Sequence, residues 1–129
     1  MYICVDMDGT CVKHTKPLSV SITIPNSVEV LQELVEAGHH LLLFTMRSNK
    51  DGIMYLQDAV QWFKDNDIKL SGVQRNPMQW KWTESPKCYG SLYIDDAALG
   101  CPLLQGDDDH RPYVDWIKIR ELLVEQNVL

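Results

Sequence analysis

Two aspartates two residues apart, Asp6 and Asp8, follow the apolar run Tyr2-Ile3-Cys4-Val5 and precede Gly9-Thr10. A carboxylate can attack phosphorus and so split one difficult displacement into two easier ones. A second carboxylate close by can protonate the leaving oxygen and later activate water. Gly9 permits the sharp turn that would aim both groups at one atom. Far downstream another acidic pair, Asp95-Asp96, ends the apolar run Leu92-Tyr93-Ile94. Between these parts Thr45 closes the run Leu41-Leu42-Leu43-Phe44, and Lys87 stands in Ser85-Pro86-Lys87.

Charge decides what such a gathering needs. Carboxylates about 4 Å apart repel by roughly 4 kcal/mol per pair at an effective dielectric near 20. They remain ionised together only beside cations. A hard divalent ion with oxygen ligands, Mg2+ above all, supplies that charge and characteristically combines one or two carboxylates with a substrate phosphate. Lys87 adds a further positive charge. Phosphoryl transfer asks mainly for charge neutralisation and in-line positioning, which is what this set of residues offers.

The elements that must bring these residues together alternate along the chain. Strands are expected at 2–6, 41–45, 68–73 and 92–95, with a β-rich excursion at 20–24. Pro25-Asn26-Ser27 opens a helix, with Asn26 as cap and Glu29 as its capping-box partner, and Gly38 stops it. A second helix is expected over 49–65 with Ile53, Leu56, Val60 and Phe63 inward, and a third over 115–128 carrying Trp116, Ile119 and Leu123 inward. Residues 87–89 read as a short helical turn. Strands alternating with helices predict an α/β fold, in which sites form outside the carboxyl ends of parallel strands. Asp6, Thr45 and Asp95 would then converge.

In this order the motifs resemble the haloacid dehalogenase-like superfamily of Mg2+-dependent phosphatases, over residues 2–98. The resemblance implies a doubly wound three-layer α/β/α sandwich with a central, mostly parallel sheet, spanning a single domain, 1–129. It implies Asp6 as nucleophile, Asp8 as general acid and base, and Thr45 and Lys87 as the further catalytic groups. Mg2+ would be held by Asp6, the Asp8 carbonyl and Asp95, with Asp96 acting through water. Gly9, Thr10, Met46 and Arg47 are the expected substrate contacts, Arg47 through a two-pronged grip on an anion. The intervals 10–45 and 45–87 are too short for a cap domain, so the chain resembles the capless, minimal subgroup. Exclusion of water would fall to the loop 11–24, to the substrate, or to a second subunit in a homo-oligomer.

The expected activity is hydrolysis of a small phosphorylated metabolite through an aspartyl-phosphate. A phosphoprotein or a nucleic-acid end is the alternative substrate. A phosphoryl-binding protein without turnover, or a receiver-like signalling module, is the alternative class. Receiver domains place the acidic pair first and the phospho-accepting aspartate later, the reverse of the order here.

Composition narrows the field further. With 12 basic and 18 acidic residues the net charge is −6, and no basic run exists, which disfavours nucleic-acid binding through a charged patch. At 129 residues, 45% of them apolar, the chain can bury a proper core. Cys4, Cys11, Cys88 and Cys101 have no zinc spacing. No apolar run approaches a membrane span and the first strand starts at Tyr2, so the cytoplasm is the expected compartment. His14, His39, His40 and His110 show no ligand spacing and read as structural or solvated, and Asp107-Asp108-Asp109 reads as a solvated loop. Arg75-Asn76 should end the third strand on the functional side, and Trp80 and Trp82 should pack over the sheet edge.

Overall fold

The computed structural model describes residues 1–18 and 20–129; Ser19, inside the loop 11–24, lies outside them. In chain order the elements are β1 (Tyr2–Val5), α1 (Ser27–Glu36), β2 (His40–Leu43), β3 (Asn49–Lys50), β4 (Ile53–Met54) and α2 (Tyr55–Asp65). Then come β5 (Leu70–Val73), β6 (Leu92–Ile94), β7 (Leu103–Leu104), β8 (Tyr113–Val114) and α3 (Trp116–Glu125).

The short apolar runs form a four-stranded parallel sheet in the order β5-β2-β1-β6. Val5 stands opposite Leu43 on one side and Ile94 on the other, so the three strands end level. The next residues along, Asp6, Phe44 and Asp95, emerge at the same edge. Two bonds carry the ladder past the strands: Asp6 N–H donates to the Ile94 carbonyl (3.0 Å) and Phe44 N–H to that of Val5 (2.9 Å).

Strand alternation sorts the side chains between the two faces. Ile3, Val5, Leu41, Leu43 and Ile94 join one core with Leu31 and Leu34 of α1, Phe63 of α2 and Trp116 of α3. Burying each of the larger aliphatic or aromatic side chains contributes about 1.5–3 kcal/mol. Cys4 and Leu42 point the other way, to a small cluster with Cys88 that no described helix joins. The α/β architecture with a parallel sheet is therefore as expected, but all three described helices feed one face. On the opposite face the segment 74–90, with one helical turn (Gln79–Lys81), stands where a three-layer sandwich would have a helical layer. Pro77 and Pro86 break any longer helix there.

Other local expectations need correction. Among the described residues 20–24 form no strand, only a bridge between Val12 and Thr23. The second helix begins at Tyr55, because Asp51 (φ 53°) and Gly52 (φ 77°) make the tight turn of the β3–β4 hairpin. Ile53, expected inward, is thereby 49% exposed. Asn26 is left-handed (φ 67°) and its side chain makes no cap bond; the Ser27 hydroxyl instead donates to the Ile24 carbonyl (2.8 Å). Residues 87–89 are not helical. Asp115 does cap α3, accepting from Lys118 N–H at 3.2 Å. No described helix is long and apolar enough to cross a membrane.

Candidate functional site

Because β1 and β6 are neighbours ending level, Asp6 and Asp95 leave the sheet side by side. Asp96 is drawn in by Thr10, a fully buried residue in the turn after β1. The Thr10 hydroxyl accepts from Asp96 N–H (3.1 Å) and donates to Asp6 Oδ2 (3.1 Å), so one side chain ties the two acidic segments together. Thr10 is itself fixed by its carbonyl, which accepts from Trp116 Nε1 at 2.7 Å. Oxygens of Asp6, Asp95 and Asp96 all lie within 4.8 Å of one another.

Gly9 makes this convergence possible. Its φ of 84° is left-handed, and a Cβ there would run into the Asp96 carboxylate and sit 2.6 Å from His14 Nε2. The turn backbone is bonded inward, with Gly9 N–H donating to the Val12 carbonyl at 2.7 Å.

Crowded acidic groups titrate late. Burial, and next the Asp95 carboxylate, push Asp6 from its ordinary 3.8 up to about 8. The Met7 N–H opposes this, Asp96 adds to it, and the Thr10 hydroxyl opposes it again. Three carboxylates that close form a hard, all-oxygen donor set of the kind that suits Mg2+. The Asp8 carbonyl accepts no hydrogen bond among the described residues and is open as a further oxygen. The donors present therefore fit the expected cation.

Asp8 stands apart from the three. Its two oxygens are forked by Arg47, with Nε at 2.8 Å and Nη2 at 2.7 Å, and the third guanidinium nitrogen donates to the Tyr55 carbonyl at 3.2 Å. The Arg47 side chain is 1% exposed. Expected as a substrate contact, it is fully engaged within the protein. Thr45 lies beyond the end of β2 and its hydroxyl accepts from Arg47 N–H at 3.1 Å. Met46 is almost wholly exposed.

Lys87 is not brought to the cluster. Its ammonium lies 5.7 Å from the centre of the Tyr93 ring, and it makes no ion pair among the described residues. The side-chain nitrogen that meets the acidic pair is His14 Nε2, 3.2 Å from Asp96 Oδ2. Nothing in the spacing of the histidines announces that contact, which joins loops 82 residues apart. Gln74 was also beyond sequence reasoning. At φ 62° it turns back after β5, accepts from Thr45 N–H (2.9 Å) and donates to the carbonyls of Thr45 (2.6 Å) and Arg47 (3.2 Å).

Just past the expected third strand, Asn76 is buried and donates to the Tyr89 carbonyl at 3.1 Å, a structural duty, whereas Arg75 is exposed. Trp80 and Trp82 are 66% and 65% exposed, Trp82 meeting the Tyr89 ring edge-on. The 107–109 triplet is exposed as expected, with Asp107 bonded to His110 Nδ1 at 2.8 Å.

No protein-family model matches the chain, and no curated protein matches it. A solved structure does. It is a conserved protein from Bacteroides thetaiotaomicron, 29% identical, superposing with a TM-score of 0.75 over 98% of this chain and 91% of that one. The two share a fold over most of their length.

Proposed function

We propose that this chain is a Mg2+-dependent phosphomonoester hydrolase of the haloacid dehalogenase-like kind, without a cap domain, acting on a small phosphorylated metabolite. The observation that carries the reading is the meeting of Asp6, Asp95 and Asp96 within 4.8 Å at the carboxyl edge of the sheet. Structural carboxylates avoid such proximity, since each added neighbour makes ionisation dearer. A cluster of this kind is what a cation and a phosphoryl group would both use.

In this reading Asp6, Asp95 and the Asp8 carbonyl would hold Mg2+, with Asp96 in support. The bound cation would keep Asp6 ionised at neutral pH and draw charge from the phosphoryl oxygens. Asp6 attacks phosphorus while the bond to the leaving oxygen breaks, and that oxygen takes a proton from Asp8. Water then attacks the aspartyl-phosphate, giving its proton to Asp8 as the bond from Asp6 to phosphorus breaks. Thr45 and the exposed Met46 stand beside the approach, while the buried Thr10 acts by holding Asp6 and Asp96. Asp8 must let go of one prong of Arg47 to do its part.

The test is hydrolysis of p-nitrophenyl phosphate. Turnover should require Mg2+, stop with EDTA, and fall at least about a thousandfold in Asp6→Asn. Full activity in Asp6→Asn would remove Asp6 from the nucleophile's role. Acetyl phosphate leaving a long-lived adduct with little turnover would favour a signalling module instead.

A further inference from the structure

Beside the carboxylates the surface opens into a cleft of about 950 Å3 between residues 14–18, with Val20 and Ile22, and the loop 108–111. That is near the upper end of small-molecule sites and far more than a phosphate fills. Its walls are mixed: Pro17, Leu18 and Ile22 give apolar surface, Tyr55 an aromatic side chain, and Lys16 and Arg111 positive charge. His14 lines the cleft and also contacts Asp96, so a molecule lying there would abut the acidic cluster.

Both cations lack an acidic partner. Among the described residues no carboxylate forms an ion pair with Lys16 or Arg111. Among the described residues the Arg111 guanidinium hydrogen-bonds only to His14, with Nη2 3.4 Å from Nδ1 and 2.9 Å from Nε2. That nitrogen is the one 3.2 Å from Asp96. A single imidazole nitrogen cannot donate to Asp96 and accept from Arg111 at once. The tautomer that serves both donates from Nε2 to Asp96 and leaves Arg111 only the longer 3.4 Å contact to Nδ1, so the guanidinium keeps N–H groups for an anion beside it. His110 differs, since Asp107 already holds it. Asp108 and Asp109 also line the cleft and offer acceptors for hydroxyl groups.

We propose that this cleft receives the leaving group, and that the substrate is a free nucleotide carrying a second anionic group, a nucleoside bisphosphate being the simplest example. The inference rests on the phosphatase reading and names the substrate class of that same site. Arg111 and Lys16 take the second phosphate, the base lies against Tyr55 and Ile22, and sugar hydroxyls meet Asp108 or Asp109. Hydrolysis breaks one ester bond, with water supplying the oxygen of the released phosphate and the proton of the new hydroxyl. The second phosphate stays on the product. The chain's net charge of −6 opposes a long polyanionic strand, which selects a free nucleotide over nucleic acid.

The experiment compares adenosine 3′,5′-bisphosphate with adenosine 3′- and 5′-monophosphates, reading kcat/KM with Mg2+ and, in Asp6→Asn, calorimetric binding. The bisphosphate should be preferred at least about tenfold. In Arg111→Gln and Lys16→Gln that preference should collapse to within about threefold. Lys64→Gln, which loses the same charge from the exposed face of α2, should keep it. Turnover without preference, or a preference surviving both cleft variants, overturns the inference and leaves the phosphatase intact. If no phosphate ester is turned over, the phosphatase reading falls and binding decides the cleft. Arg111-dependent binding of the bisphosphate would uphold the cleft as a nucleotide site, and no binding would end it.

Discussion

Arg47 and Asp8 form a two-pronged ion pair, 2.8 and 2.7 Å long, in which the guanidinium is all but sealed from solvent. The pair links the loop after β2 to the turn after β1, and so holds together the two segments that frame the acidic cluster. Planarity matters: only arginine can offer two parallel N–H groups to one carboxylate.

Removing the fork should therefore hurt twice. Arg47→Ala leaves Asp8 without its partner, and loss of one member of a buried pair typically costs about 3–5 kcal/mol. With Asp8 partly exposed the lower end is expected, seen as a clear drop in Tm. Arg47→Lys keeps the charge but not the geometry, and should lose less stability while cutting kcat at least about tenfold. Equal activity in Arg47→Lys and the parent protein would show that the alignment of Asp8 has no catalytic consequence.

Asp6 gives a pH dependence of definite sign. It titrates near 8 in the folded protein against an ordinary 3.8, so between these values the native state keeps a proton that the unfolded chain has released. Stability in EDTA should then fall as pH rises from about 4 to about 8, by at most about 1.4 kcal/mol per pH unit for one proton. Urea denaturation at several pH values, compared with Asp6→Asn, isolates the contribution. The variant should lose the downward slope, and saturating Mg2+ should shallow it in the parent. A parent protein whose stability rises with pH relative to Asp6→Asn would contradict the crowding of the three carboxylates.

Much of this was legible in the residues themselves. Apolar runs of four or five residues ending in Asp6, Thr45 and Asp95 announce parallel strands with a site at their ends, and all three residues do lie just past such strands. Gly9 declares its turn. What escaped are contacts fixed by tertiary packing. His14 reaches Asp96 and Gln74 holds Thr45 through loops whose paths have no periodicity to read. Lys87 had the right order in sequence, yet order says nothing of direction, and its side chain lies over Tyr93. The β3–β4 hairpin pits two signals against each other: Asp51-Gly52 favours a tight hairpin turn, whereas the helical spacing of Ile53, Leu56, Val60 and Phe63 predicts an earlier helix start, and the turn wins.

The glycine at position 9 gives a third test. Gly9→Ala meets a left-handed φ that costs an L-residue about 1–2 kcal/mol, and its Cβ would press on Asp96 and His14. Relief of that clash displaces the Asp96 carboxylate and with it the cluster it shares with Asp6. Mg2+ should raise the Tm of the parent protein and raise that of Gly9→Ala much less, with Asp95→Asn behaving in the same way. An undiminished Mg2+ shift in both variants would mean that the cation binds elsewhere.

Thiol chemistry tests the packing independently of any activity. Cys4, Cys11 and Cys88 are buried, whereas Cys101 is partly exposed. Burial pushes the Cys4 thiol up to about 12, and Cys11, wholly enclosed and facing Asp6 and Asp8, is also driven well above its usual value. Because the thiolate is the reactive form, both should resist an aromatic disulfide reagent at pH 8. One thiol, absent in Cys101→Ser, should react in the folded protein, and all four in urea. Cys4 and Cys88 are also 3.6 Å apart across the face of the sheet that carries no described helix. Rapid native reaction of either would mean that the segment 74–90 opens readily, and that the thin cover on this side does not protect β1.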